Sequence, residues 1–185
     1  MNRQPVLYGL DIEIDTTIEA LDPEVSPIMG VALSGPRVDE LFTGPEPLLL
    51  AGLDHRLQGL EPGVIVTWDG ARFDLPFIAA RARVWDTPLH LHLEARPGSD
   101  GSFNAMWGPH RHLDARRLYD QAGRGRTRFG RRRAAGSAPP ELGSEALHAN
   151  PASDARLART LADRRWGVAR RSIDRLVAQP GQLVS

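Results

Sequence analysis

Val64-Ile65-Val66-Thr67-Trp68-Asp69-Gly70-Ala71-Arg72-Phe73-Asp74-Leu75-Pro76-Phe77 passes from a short, almost wholly apolar run, through a glycine turn, into a segment that carries a proline. An apolar run without alternation is the pattern of a strand covered on both faces. Helical spacing begins near Asp74, with Pro76 in the first turn where its missing N–H is least costly, and extends through Arg83. A two-sided strand feeding a helix is the repeating unit of an α/β sheet.

Outward from this stretch the same alphabet repeats. Upstream, Leu49, Leu50, Leu53, Leu57 and Leu60 recur at helical spacing and predict a helix from Glu46 to Leu60, stopped by Pro62-Gly63. Before it, residues 26–34 and 38–43 read as strands joined at Gly35-Pro36, and with residues 6–15 they predict an antiparallel meander. Downstream, His110 to Leu118 reads as a fifth strand and Ser153 to Trp166 as a helix, followed by a short helix over 173–177. The order predicts an α/β fold with a five-stranded mixed sheet, three strands antiparallel and the others parallel, flanked by helices. We expect one domain over residues 1–170, a flexible Gly/Arg-rich loop at 123–144 and a tail at 171–185.

Composition removes whole classes of chemistry. The 185 residues include no cysteine and no lysine, which excludes disulfide scaffolds, thiolate sites, a Walker lysine and a Schiff-base lysine. No apolar run is long enough to span a membrane, and the N-terminus leads straight into a strand, so a soluble, cytoplasmic protein without membrane association is expected. The net charge of zero conceals a division: 16 acids face 7 Arg through residue 110, and 16 Arg face 7 acids after it. Such a division suits acids that bind metal in one region and arginines that hold a polyanion in another, or two halves that attract one another.

Within the first strand, Val6-Leu7-Tyr8-Gly9-Leu10-Asp11-Ile12-Glu13-Ile14-Asp15, two acids stand among apolar residues. Alternation along a strand sends Asp11 and Glu13 out of one face, about 7 Å apart at Cα. Buried carboxylates need partners, and convergent ones suit a hard divalent cation; a sheet edge turned to water is the other reading.

Phe73-Asp74-Leu75-Pro76-Phe77, preceded by Asp69-Gly70, resembles the second motif of the DEDD-type 3′-to-5′ exonucleases of the ribonuclease-H-like superfamily, as in the proofreading domains of family-B polymerases. That motif is Asn-Gly, two or three residues, then Phe-Asp; Asp69 stands where Asn is usual. Asp11-Ile12-Glu13 is similar to the first motif, about sixty residues earlier, and the order of elements between them also agrees.

The resemblance implies a ribonuclease-H-like fold and a standalone metal-dependent exonuclease acting on single-stranded or frayed 3′ ends of nucleic acid. It implies that Asp11, Glu13, Asp74 and Asp154 hold two Mg²⁺ or Mn²⁺ ions, roughly 3.5 to 4 Å apart, with Asp11 shared. Asp69, Phe73 and Asp114 are implied to support them. The third motif should carry Tyr four residues or His five residues before its Asp; here Asn150 and Ala149 occupy those places and His148 lies six before. His148 is the residue able to act as a general base, and Asn150 could only orient water. The loop residues Arg124, Arg126, Arg128, Phe129, Arg131, Arg132 and Arg133 could track phosphates and stack on a base. A nucleic-acid-binding relative with a decayed third motif is the alternative. His90-Leu91-His92 and His110-Arg111-His112 form candidate zinc pairs.

Overall fold

A computed structural model describes residues 4–15, 21–96, 101–119 and 151–177, with side chains in the last stretch described through residue 166. The strands are β1 (Val6–Ile14), β2 (Ile28–Gly35), β3 (Val38–Thr43), β4 (Gly63–Thr67), β5 (Leu91–Ala95), β6 (Phe103–Trp107) and β7 (His110–Asp114). The helices are α1 (Glu46–Gln58), α2 (Asp74–Val84), a helical run over 115–119 that we label α3, and α4 (Pro151–Val177).

The seven strands form one sheet in the order β3-β2-β1-β4-β7-β6-β5. β4 runs parallel to both neighbours, β1 and β7, and the remaining pairs are antiparallel. The apolar character of β4 follows from its position, because helices cover both of its faces. Ile65 joins a core with Tyr8, Leu10, the α1 leucines and Leu75, Phe77 and Ile78 of α2. Val64 and Val66 join a second core with Leu7, Leu113, Ala158, Ala162 and Trp166. Leu49, Leu50, Leu53 and Leu57 are all buried, and truncating any one to Ala would cost about 2–5 kcal/mol.

The sheet therefore has seven strands where the sequence pattern predicts five. The two additional strands, β5 and β6, form an antiparallel pair beyond β7. Their sequences, Leu-His-Leu-Glu-Ala and Phe-Asn-Ala-Met-Trp, are five residues each and broken by polar groups, so neither presents an apolar run. Several boundaries differ as well: α1 stops at Gln58 rather than Leu60, β2 runs from Ile28 to Gly35, and α4 begins at Pro151 rather than Ser153. The strand predicted to Leu118 ends at Asp114 and turns helical over 115–119. α4 runs unbroken from Pro151 to Val177, through Gly167, where the sequence pattern predicts a separate short helix over 173–177; Ala and Arg on either side of Trp166-Gly167-Val168 are good helix formers that absorb one glycine.

Candidate functional site

β2 pairs with β1 as far as Ile14, but β4 pairs with it only as far as Gly9. The half of β1 that carries Asp11 and Glu13 is thus open on its β4 side, at the sheet edge where β4 ends and α2 begins. Leu7 and Gly9 face α4, and the alternation puts Asp11 and Glu13 on that same face. Gly9 lets the helix in: a Cβ there would lie 1.8 Å from the Ala155 carbonyl oxygen. The first turn of α4 consequently rests on β1 two residues before Asp11, bringing Asp154 to it.

Asp11 is partly buried, and its carboxyl is pushed up to about 7 by burial first, then by the charges of Asp154 and Glu13. Asp154 is itself buried, in the first turn of α4 where the helix dipole favours a negative charge. Asp74 closes the other side. It is the first residue of α2 and only 6% exposed, and its Oδ2 has no hydrogen-bond partner among the described residues. Burial, then the charges of Asp11, Asp114 and Asp69, raise its carboxyl well above the ordinary carboxylate range.

The turn between β4 and α2 fixes Asp74. Asp69 takes a left-handed conformation, φ 64°, which Asp and Asn tolerate better than most residues. Its carbonyl accepts N–H bonds from Arg72 and Phe73, and Gly70's carbonyl accepts that of Leu75 at 3.0 Å. The Asp69 carboxylate is ion-paired with Arg116, which neutralises the charge that this residue adds in the place of Asn. Asp114 sits behind the turn, its Oδ1 accepting N–H bonds from Asp69 at 3.0 Å and Arg116 at 3.1 Å. Burial pushes Asp114 up to about 6, against the pull of those bonds. Phe73 precedes α2 and stacks at a tilt against Phe77, 5.5 Å between ring centres.

The charges of Glu13 and Asp154 thus act on Asp11, and those of Asp11, Asp114 and Asp69 on Asp74. All donors are carboxylate oxygens, the chemistry of a hard divalent ion, and a buried oxygen without a hydrogen bond is the kind of group that such an ion would satisfy. The acids are coupled pairwise; among the described residues no three His, Asp or Glu side chains are gathered into a set that could hold an ion as they stand. His148 and Asn150 lie outside the described residues, as do Arg124, Arg126, Arg128, Phe129, Arg131, Arg132 and Arg133.

The histidine pairs form no zinc site among the described residues. His110 is fully buried, accepting the Gly63 N–H at Nδ1 and donating from Nε2 to the Leu57 carbonyl. His90 is held by Asp54, whose Oδ2 lies 2.8 Å from its Nδ1, and His92 is exposed on β5. His112 contacts Thr67. Sequence reasoning passed over Gly9, Thr67 and Arg116. Of these only Gly9 carried a signal, as an isolated glycine within an apolar strand, which often marks close backbone approach.

No protein-family model matches the chain. It is 29% identical over 105 residues to DNA polymerase 2 of Aeropyrum pernix, a match covering 53% of this chain and 13% of that protein. It is 28% identical over 93 residues to a DNA polymerase of Archaeoglobus fulgidus, covering 50% of this chain and 11% of that protein. The chain thus spans about an eighth of the curated relatives it matches. The fold is similar to that of the family B DNA polymerase from the hyperthermophilic archaeon Pyrobaculum calidifontis, with a TM-score of 0.55 and 19% identity over 94% of this chain and 25% of that one. At that identity the likeness is one of fold. Among the described residues no helix is long and apolar enough to cross a membrane.

Proposed function

We propose that this chain is a metal-dependent 3′-to-5′ exonuclease with a ribonuclease-H-like fold, releasing nucleoside monophosphates from single-stranded or frayed nucleic-acid ends. The observation that carries the reading is the buried Oδ2 of Asp74, which has no hydrogen-bond partner among the described residues and is coupled to Asp11, a carboxyl itself raised to about 7. Acids held in this way are poised for a cation rather than for protein donors. The similarity to parts of DNA polymerases supports nucleic acid as the substrate.

Asp11, with Glu13 and Asp154 to one side and Asp74 to the other, would hold two divalent cations, Mg²⁺ or Mn²⁺. When bound, these ions supply Lewis-acid activation of water and charge neutralisation at the scissile phosphate. The protein's own part is to hold the four carboxylates at one sheet edge, where α4 packs on β1 beside Asp11 and the turn at Asp69 and Gly70 fixes the start of α2. The Gly/Arg-rich segment, including Arg124, Arg126, Arg128, Phe129 and Arg131 to Arg133, is proposed to hold backbone phosphates, and His148 or Asn150 to orient water. The alternative, a nucleic-acid-binding relative without turnover, draws on Asp69 in the place of Asn and on the residues before Asp154.

Purified protein and a single-stranded oligonucleotide labelled in its 3′-terminal nucleotide separate the two. Mononucleotide release that requires Mg²⁺ or Mn²⁺, stops with EDTA and is lost in Asp11→Asn while binding persists is the expected result. Release unchanged by Asp11→Asn would sink the proposal, and binding without any release would favour the relative.

A further inference from the structure

His112 stands one step behind the acids. Its Nε2 lies 2.8 Å from Thr67 Oγ1, and the same oxygen accepts the Gly70 N–H at 3.1 Å. Gly70 is wedged against Asp74: a Cβ there would lie 2.4 Å from Thr67 Oγ1 and 2.8 Å from Asp74 Oδ2. Gly70 also reaches α2 through its backbone, since its carbonyl accepts the N–H of Leu75, the residue after Asp74. His112 and Asp114 are two apart on β7 and so share a face. From that face β7 pins two consecutive amides of the turn, Asp69 directly through Asp114 and Gly70 through Thr67.

We propose that His112 and Thr67 are positioning residues for Asp74, acting through the Gly70 amide. Asp74 Oδ2 accepts no hydrogen bond among the described residues, so its location depends on the packing of Gly70 against it and on where α2 begins. Both depend on the bond that Thr67 makes to Gly70, and that bond depends on the orientation His112 imposes on the hydroxyl. This rests on reading Asp74 as a cation ligand, for which His112 and Thr67 form the outer support that such ligands require.

The test uses the full chain with Thr67→Val, Thr67→Ser, His112→Ala and His112→Gln. It measures Mn²⁺ affinity by titration calorimetry and, without metal, hydrogen exchange at the Gly70 and Leu75 amides. Thr67→Val and His112→Ala are expected to weaken Mn²⁺ by about 10–100-fold and to speed exchange at both amides about fivefold, the worth of one hydrogen bond. Thr67→Ser keeps the hydroxyl and His112→Gln keeps a polar nitrogen at the Nε2 position, so both should stay near wild type. Unaltered exchange and affinity in Thr67→Val and His112→Ala would overturn the proposal, as would equal losses in all four variants, because packing rather than the bond would then be responsible. If His112→Ala does not fold, the near-isosteric Thr67→Val decides. Wild-type protein that binds no Mn²⁺ would remove the cation reading, while faster exchange in Thr67→Val would still uphold the positioning of Asp74.

Discussion

Asp74 and Glu46 occupy matching places with opposite consequences. Each lies in the first turn of a helix, α2 and α1 respectively, and each is 6% exposed. Glu46 is fully supplied with donors: the Ile28 N–H and Arg81 Nε reach Oε1 at 2.8 Å, while Arg81 Nη2 and Trp85 Nε1 reach Oε2 at 2.5 and 2.6 Å. Burial pushes its carboxyl up, and those four bonds more than offset it, leaving it below the ordinary range. Asp74 Oδ2 has no such donor among the described residues, so burial, together with the charges of Asp11, Asp114 and Asp69, raises its carboxyl. Burial is common to both, and the partners decide that one acid joins β2, α1 and α2 while an oxygen of the other has no donor among the described residues.

The sharpest way to break this contrast is to neutralise each acid. Asp74→Asn should reduce cation-dependent mononucleotide release to background while leaving the melting temperature at pH 8 unchanged or higher, because it removes a repelled charge. A parallel loss of stability and activity would show that Asp74 is merely structural.

Glu46→Ala should do the reverse. It strands the Arg81 guanidinium, itself 4% exposed, and breaking a buried pair costs about 3–5 kcal/mol. Urea unfolding measures this, and a loss below about 1 kcal/mol, the worth of a surface pair, would contradict the reading of Glu46 as a buried anchor.

Acidity offers an intermediate test. Asp11 binds its proton up to about pH 7 in the folded state against 3.8 for the free group, so between those values the folded protein holds more protons than the unfolded chain. The Asp11 contribution to metal-free stability should therefore fall as pH rises through that window and level off above it, while His112, held down to about 3 by burial, acts oppositely below its ordinary 6.5. Asp114, raised to about 6, acts in the same direction as Asp11. Glu46 acts oppositely, losing its contribution as pH falls below its ordinary 4.5. At pH 8, Mn²⁺ at a hundredfold excess over its dissociation constant should restore about 2.7 kcal/mol, and Asp11→Asn should lack this gain. Thermal scans of wild type and Asp11→Asn across pH, with and without Mn²⁺, measure both, and a wild-type stability that does not fall relative to Asp11→Asn from pH 5 to 7 would contradict the placement of Asp11.

The smallest effect belongs to Asp69→Asn. Its ion pair with Arg116 is about one-third exposed on both sides, so the stability change should stay within about 1 kcal/mol. The informative measurement is Mn²⁺ affinity, since the substitution removes a nearby negative charge while an amide still suits the left-handed turn at φ 64°. A change in affinity beyond about tenfold would place Asp69 among the ligands rather than beside them.

Much of the framework was legible because it depends on local period. The apolar run at 64–66 marked the central strand, the spaced Leu49, Leu50, Leu53 and Leu57 marked α1, and Phe73-Asp74-Leu75-Pro76 marked where α2 begins. β5 and β6 escaped because five-residue strands broken by His, Glu and Asn carry too little pattern to register, and pairing with β7 is what makes them strands. The acids could be named from the sequence, yet their convergence could not be derived from spacing, because it requires α4 to settle on Gly9.

By itself the amino-acid sequence determined which residues alternate, where α1 and α2 begin, and that Asp11 and Glu13 leave one face of a strand. The tertiary structure alone decided who meets whom. Arg81 answers Glu46 across 35 positions, His112 meets Thr67 across 45, and Arg116 meets Asp69 across 47. The physical reason is range: backbone periodicity is written in neighbouring residues, whereas the charge, hydrogen bonding and burial that distinguish Asp74 from Glu46 are set by groups that approach only once the sheet and its helices have closed.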